Sequence, residues 1–295
     1  MISKIKKMEE KKSNSNILIN IKNKVIFKII SGFLRKNKLM NIIRYNKQIQ
    51  KKFNINIDSY KKAAKIEIEI KLENRFNTFI KMLNENCHIY INETKIERIK
   101  FYPELNENET IKIVIDHNTI SLCGLFKDMN FIKKIKFTKF NRKDIEDMSF
   151  MFNGCSILEE LDLSRIYTNN VKDMRGMFYK CSSLKELNIT NFNTEKVKDM
   201  SYMFCECTSL KELNLSNFNI KNVSYINYMF YKCLSLEKLD LSNFNFGKET
   251  YIYDLFSECT SLKTIKIPII NDNEKKPKNV FSFGSNELMD KIKNN

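Results

Sequence analysis

Six phenylalanines, Phe126, Phe152, Phe178, Phe204, Phe230 and Phe256, follow one another at a constant step of 26 residues. Cys155, Cys181, Cys207, Cys233 and Cys259 keep the same step, as do Leu158, Leu184, Leu210, Leu236 and Leu262, without a single insertion. The segments "DMRGMFYKCSSLKELNITNFN" from Asp173, "DMSYMFCECTSLKELNLSNFN" from Asp199 and "YINYMFYKCLSLEKLDLSNFN" from Tyr225 are near-copies. Several columns held at one step mean that each unit buries its apolar face against its neighbours, so the chain stacks units along one direction.

Inside one unit, Met200, Met203, Phe204 and Cys207 fall at i, i+3, i+4 and i+7, which predicts one face of a helix with Asp199 as its N-cap. Leu210, Leu213 and Leu215 then move to alternation, so "ELNLS" reads as a short strand with inward leucines. The "NFN" that follows turns the chain, because Asn tolerates left-handed backbone angles where a chain of six Gly has few glycines to spare. Helix, strand and turn make a leucine-rich repeat. The pattern "LKELNLSNFN…V.DMS.MF..C.SL" resembles the BspA-like leucine-rich repeat of bacterial surface proteins and expanded protist families, over about residues 120–268. Many members of that family are adhesins or binding proteins. Where commoner leucine-rich repeats place Asn, this chain has Phe140, Phe192, Phe218 and Phe244, with Ile166 at the same position. The resemblance therefore implies a stacked aromatic spine in place of an Asn ladder.

The fold class expected is an α/β solenoid. Strands stack about 4.8 Å apart and helices about 8–10 Å, so the stack should curve with parallel strands on its concave face and short helices outside. Inward leucines leave a row of outward residues on that face. From the first unit to the last these are Lys134 and Lys136, Glu160 and Asp162, Glu186 and Asn188, Glu212 and Asn214, Lys238 and Asp240, then Thr264 and Lys266. The centre of the row is acidic and its ends are basic.

Four segments are expected. Residues 66–119 read as a small β-rich capping unit built from "KIEIEIKL", "CHIYINE", "KIERIKFY" and "TIKIVID", with a short helix over 73–84. Residues 120–268 carry the six repeats, and residues 269–295 a closing helix at "NELMDKIK" and a tail. Residues 1–65 show two helical faces, one with Val25, Ile26, Ile29, Ile30, Phe33 and Leu34, the other with Leu39, Ile42, Ile43, Ile49 and Phe53; a third short helix follows at "DSYKKAAK". That three-helix pattern faintly resembles an F-box, the adaptor that docks ubiquitin-ligase scaffolds, although it has no opening Leu-Pro and no late Trp.

Charge divides the chain. Residues 1–62 hold 17 Lys/Arg against 3 acidic residues, a net of +14, while residues 147–268 hold 14 against 15, a net of −1. The basic start makes nucleic acid or an acidic membrane a candidate partner. No apolar run approaches the length of about 20 residues that spans a membrane, and no secretory signal is read at the start, so an intracellular, cytoplasmic protein with eight reduced thiols is expected. Catalytic chemistry finds no constellation. The two histidines, His88 and His117, stand near no recurring nucleophile, Cys87 beside His88 is an isolated pair, and no glycine-rich phosphate motif occurs. Glu159 and Glu160 lie on an open face where nothing would drive their pKa values apart. Cys205 and Cys207 cannot share a metal, because on a helix Cys205 would point outward, away from the buried column. The expectation is a non-catalytic protein-interaction module with no cofactor or metal. Its partner-binding row is Glu160, Asp162, Glu186, Asn188, Glu212, Asn214, Lys238 and Asp240. The alternatives are a ubiquitin-ligase adaptor and a nucleic-acid or membrane binder through the N-terminus.

Overall fold

The computed structural model describes residue 51 and residues 64–73, 87–91, 94–96, 110–116, 119–246 and 250–266. The chain divides after Ala63, and apart from Lys51 the described residues lie in the second unit, Ala64–Asn295. The helical pattern over residues 1–65, the F-box resemblance, the helix at 73–84 and the closing helix after 269 lie outside the described residues.

Alternation builds the first sheet. In β1 (Ile66–Leu72) apolar residues alternate with charged ones, and Ile66, Ile68 and Ile70 are buried while the charged residues between them face outward. β1 pairs antiparallel with β4 (Ile111–Ile115) on one side and with β5 (Ile132–Phe140) on the other, so Ile66 stands opposite both Ile115 and Phe140. β2 (Cys87–Ile91) joins β4 and β3 (Thr94–Ile96), and β6 (Glu160–Asp162) joins β5 in parallel. The order is β3-β2-β4-β1-β5-β6. The strands before the repeats thus continue into the first two repeat units as one sheet. Glu67 ties β1 to both neighbours through Lys112 at 2.6 Å and Lys139 at 3.2 Å. The Lys112 ammonium is the main cause of its lowered pKa. Arg142, buried in full, pairs with Asp144 at 2.6 Å and donates to the carbonyls of Asp116 and Thr119, fastening the end of β4 to the first units.

The α/β solenoid is overturned. Residues 119–246 and 250–266 contain no helix, and their regular strands are β5, β6, β7 (Lys238–Asp240) and β8 (Thr264–Lys266), the last two a separate parallel pair. An α-helix would send each N–H back four residues. Here the Phe152, Phe178, Phe204 and Phe230 N–H groups donate forward to Met177, Met203, Met229 and Leu255 of the next unit, at 2.9–3.0 Å. The intervening Met151, Met177 and Met203 N–H groups close local turns onto the carbonyls three residues back. Two residues in every unit are left-handed. These are Gly124, Phe150, Gly176, Tyr202, Tyr228 and Asp254 in one column, and Asp128, Gly154, Lys180, Glu206, Lys232 and Glu258 in the other, with φ between +45° and +76°. A right-handed helix cannot contain such residues at four-residue intervals. Asp147, Asp173 and Asp199 cap no helix; each accepts the N–H two residues on, from Ser149, Arg175 and Ser201, and so opens a turn.

The units meet in register at parallel bridges that link Ser121, Asp147, Asp173, Asp199, Tyr225 and Tyr251 in turn. Behind these bridges runs a ladder of rings, Phe126 to Phe256, each stacked on the next at 5.5–5.8 Å with planes within 11° of parallel. All six are buried. That spacing also removes the reason for curvature, since nothing on the turn side holds the units 8–10 Å apart, as helices would, at about twice the strand spacing. Each column cysteine donates its thiol to the phenylalanine carbonyl of the unit before it. Cys155 reaches Phe126, Cys181 Phe152, Cys207 Phe178, Cys233 Phe204 and Cys259 Phe230, at 2.9–3.2 Å. The stacked aromatic spine is therefore not the one expected. Phe140, Phe192, Phe218, Phe244 and Ile166 are buried. Beside them stands the asparagine ladder they were thought to replace: Asn191, Asn217 and Asn243 donate to Ile166, Phe192 and Phe218 carbonyls at 2.9, 2.6 and 2.8 Å.

Cys205 is buried, not outward. It occupies the column of Tyr179 and Tyr231, the corresponding residues of the units on either side, and burial pushes its thiol up to about 12. Cys123 is the exposed cysteine.

Two outcomes follow from this packing. Phe204→Ala removes the middle ring of the ladder and should lower unfolding free energy by about 3–5 kcal/mol in urea denaturation, whereas loss of an end ring, Phe256→Ala, should cost less. In brief thiol labelling read by mass spectrometry, Cys123 should react first while Cys155, Cys181, Cys205, Cys207, Cys233 and Cys259 resist. Rapid labelling of Cys205 would show that the tyrosines on either side leave it open.

Candidate functional site

Outward residues of the strand side line one open groove of about 1010 Å³. Leu187, Leu213 and Leu239 form its floor, and its walls come from their polar neighbours, from Lys185 and Thr190 in one unit to Thr264 and Lys266 in the last. The alternation that turns the leucines in turns their neighbours out, so Glu186, Asn188, Glu212, Asn214, Lys238 and Asp240 all lie exposed along it. Glu160 and Asp162 belong to the same row but not to the groove wall. Glu160 is exposed and pairs with Lys134; Asp162 is half-buried.

The eight residues of the row divide by task. Asp162, Asn188, Asn214 and Asp240 each accept the backbone N–H two residues on, from Ser164, Thr190, Ser216 and Ser242, at 3.0–3.2 Å. They hold the bend after each strand position. The Ser164 hydroxyl and amide keep Asp162 below the usual carboxylate range, and the Ser242 hydroxyl and amide do the same for Asp240. Asp240 also pairs with Lys266 at 3.3 Å. Glu186, Glu212 and Lys238 make no ion pair among the described residues, whereas several other charges of the stack find a partner one unit away. Lys172 pairs with Glu146 at 2.8 Å, Lys263 with Glu237 at 3.0 Å and Lys232 with Glu258 at 3.5 Å. Three charges of the row without an ion pair, Glu186, Glu212 and Lys238, thus line the groove.

A second surface, of tyrosines on the turn side, was not expected from the sequence. Tyr202 stacks on Tyr228 at 5.0 Å and Tyr225 on Tyr251 at 5.3 Å, while Tyr253 meets Tyr228 edge-on at 5.3 Å. The Tyr231 hydroxyl donates to Glu258 at 2.6 Å, which raises its pKa, and Lys232 sits 5.1 Å from the Tyr231 ring centre. Tyr179, Lys180 and Glu206 repeat the arrangement two units earlier. The signal was present as the alternation of "FYKC" with "FCEC" and "FSEC", a second period of twice the unit.

Elsewhere, His88 turns out of β2 to bond Asp116 at 2.8 Å while Cys87 turns in, so the dipeptide is split between two faces. No group of three or more His, Cys, Asp or Glu able to hold a metal occurs among the described residues. No helix among them is long and apolar enough to cross a membrane.

No curated protein and no solved structure matches the chain. One family model does, that of the "Mycoplasma protein of unknown function, DUF285", over residues 120–213 and 180–286. The matching model is not one of a leucine-rich repeat family, and with the helices absent as well the BspA-like leucine-rich repeat assignment is set aside. The two overlapping matches run from residue 120 to residue 286, which is 167 of 295 residues and covers every stacked unit. The chain belongs to the DUF285 family.

Proposed function

We propose that this protein is a non-catalytic protein-interaction module that meets its partner with the strand side of the stacked units. The observation that supports it is the groove itself: about 1010 Å³ of open space over an apolar floor, with Glu186, Glu212 and Lys238 on its walls making no ion pair among the described residues. Charges left unpaired on a rigid surface orient an approaching protein and set association rate and specificity more than raw affinity. Partner binding falls to Glu160, Asp162, Glu186, Asn188, Glu212, Asn214, Lys238 and Asp240, with Glu186, Glu212 and Lys238 at the centre. A cytoplasmic location goes with this proposal, supported by the five column cysteines, whose thiols donate to main-chain carbonyls and so serve the stack in reduced form.

A second reading rests on the 17 Lys/Arg against 3 acidic residues in residues 1–62, and makes that segment a binder of nucleic acid or acidic membrane. Salt separates the two, since phosphate binding falls steeply between low and moderate salt while an interface with an apolar floor does not.

Affinity capture with the intact protein, followed by kinetics on the purified partner, tests the first. Reversal of both carboxylates, Glu186→Lys with Glu212→Lys, should slow association and flatten its salt dependence, with stability shifted by under about 0.5 kcal/mol because both side chains are exposed. An unchanged association rate for the reversed protein, folded by circular dichroism, would sink the groove as the binding face.

A further inference from the structure

Over the four units of Phe178, Phe204, Phe230 and Phe256 the turn side carries one continuous set of surface tyrosines. Tyr179 meets Tyr202 at 6.2 Å and Tyr202 stacks on Tyr228 at 5.0 Å. Tyr228 in turn touches Tyr231 at 5.7 Å and Tyr253 at 5.3 Å. Beside them Tyr225 and Tyr251 form a second stack, 45% and 57% exposed. A patch of exposed rings edged by charge marks an interaction surface. None of these residues lines the groove.

The make-up of this surface alternates by unit. Directly after the ladder phenylalanines stand Tyr179, Cys205, Tyr231 and Ser257, large and small in turn. Next come Lys180, Glu206, Lys232 and Glu258, positive and negative in turn, with a sum of zero. A row of four that alternates is its own complement when read backwards. Against a second copy running the opposite way, Lys180 faces Glu258 and Glu206 faces Lys232, while Tyr179 faces Ser257 and Tyr231 faces Cys205. The neighbouring columns agree, since Arg175 then faces Tyr253 and Asp199 faces Tyr225. A same-direction pairing in register sets like charge on like, and so does an opposed pairing shifted by one unit.

We propose that the turn side binds a second copy of this chain, the two stacks running in opposite directions about a two-fold axis between the units of Phe204 and Phe230. A closed two-fold contact uses the same patch on both partners, so the patch must complement itself on reversal. The double period meets that condition. Tyr202 and Tyr228 come together at the axis and supply rigid aromatic area at the centre of the contact. Each lysine already has a glutamate in its own chain, Lys180 with Glu206 at 4.0 Å and Lys232 with Glu258 at 3.5 Å. The second copy adds a second opposite charge to each, and such charges fix register and orientation. At either end the Arg175 guanidinium meets the Tyr253 ring, and the Tyr225 hydroxyl meets the Asp199 carboxylate. The contact is independent of the groove, and no groove residue takes part in it.

Sedimentation velocity on the full chain over a concentration series should show a monomer–dimer equilibrium. Moderate salt screens the net charge of +16, which would otherwise hold copies apart. Glu206→Lys sets lysine against lysine twice across the axis, and Lys232→Glu sets glutamate against glutamate. Each should raise the dimer dissociation constant about tenfold or more. Mixed in equal amounts, the two variants should pair with each other at close to native strength, because every lysine of one then faces a glutamate of the other. Mixing repairs neither of the broken pairs within a chain, so recovery reports on the contact between copies alone. Tyr202→Ser, which alters no charge, should weaken the native dimer by a similar factor and decides the matter if a reversed chain fails to fold by circular dichroism. The proposal is overturned by a native chain that stays monomeric throughout the series, by a dimer that the reversals or Tyr202→Ser leave intact, or by folded reversed chains whose mixture stays monomeric.

Discussion

Everything on the turn side depends on the direction in which alternate backbone N–H groups point. Phe152 could have closed a helical turn on its own unit; instead its N–H reaches Met177 in the next, and the same choice is repeated at Phe178, Phe204 and Phe230. Once the bonds run between units, the spacing between units is set by a hydrogen bond and not by the girth of a helix. The aromatic rings behind that backbone then fall within stacking distance, and the cysteine thiols within reach of the neighbouring carbonyls. The left-handed residues are the local cost of the arrangement. A non-glycine residue in that region loses about 1 kcal/mol or more, and Gly124, Gly154 and Gly176 ease only three of the twelve positions. At Gly176 there is a further reason, because a Cβ would come within 2.5 Å of the Phe150 ring.

Much of this was legible in the chain. The step of 26 residues reappears as parallel bridges, and the alternation in "KIEIEIKL", "CHIYINE" and "TIKIVID" became β1, β2 and β4. The helix was misread for a definite reason. Met200, Met203, Phe204 and Cys207 do face inward together, but inward spacing records only which side chains are buried. It is silent on whether the main chain bonds along itself or across to a neighbour. Cys205 was lost with the helix, since its outward orientation was deduced from helical phase. At the groove, the outward position of Glu186, Glu212 and Lys238 was readable from alternation with the leucines, whereas the failure of the middle units to form strands was not, since 186–188 and 212–214 carry the same alternation as β7. The tyrosine surface escaped because its period spans two units, and a comparison one unit at a time shows only scattered substitutions.

Electrostatics ties neighbouring units together only weakly in this stack. Pairs such as Lys172 with Glu146 and Lys263 with Glu237 lie at the surface and contribute little each, on the order of 0–1 kcal/mol. Their opposite signs nonetheless let neighbouring units sit in register. Over the units of Phe178 and Phe204 no regular strand forms on the strand side, while the ring ladder behind it continues unbroken. A continuous wall of rings can carry an irregular face without unfolding.

The double period of the tyrosine surface bears on how such a chain can change its length. Lys180 meets Glu206, and Lys232 meets Glu258, because cationic and anionic units take turns. Excising the single unit between Cys181 and Cys207 would bring Lys180 beside Lys232 and Tyr179 beside Tyr231. Excising two neighbouring units keeps every such contact between unlike residues. Gene events that add or delete stretches of this chain should therefore be tolerated in pairs of units, even though one unit is the geometric repeat.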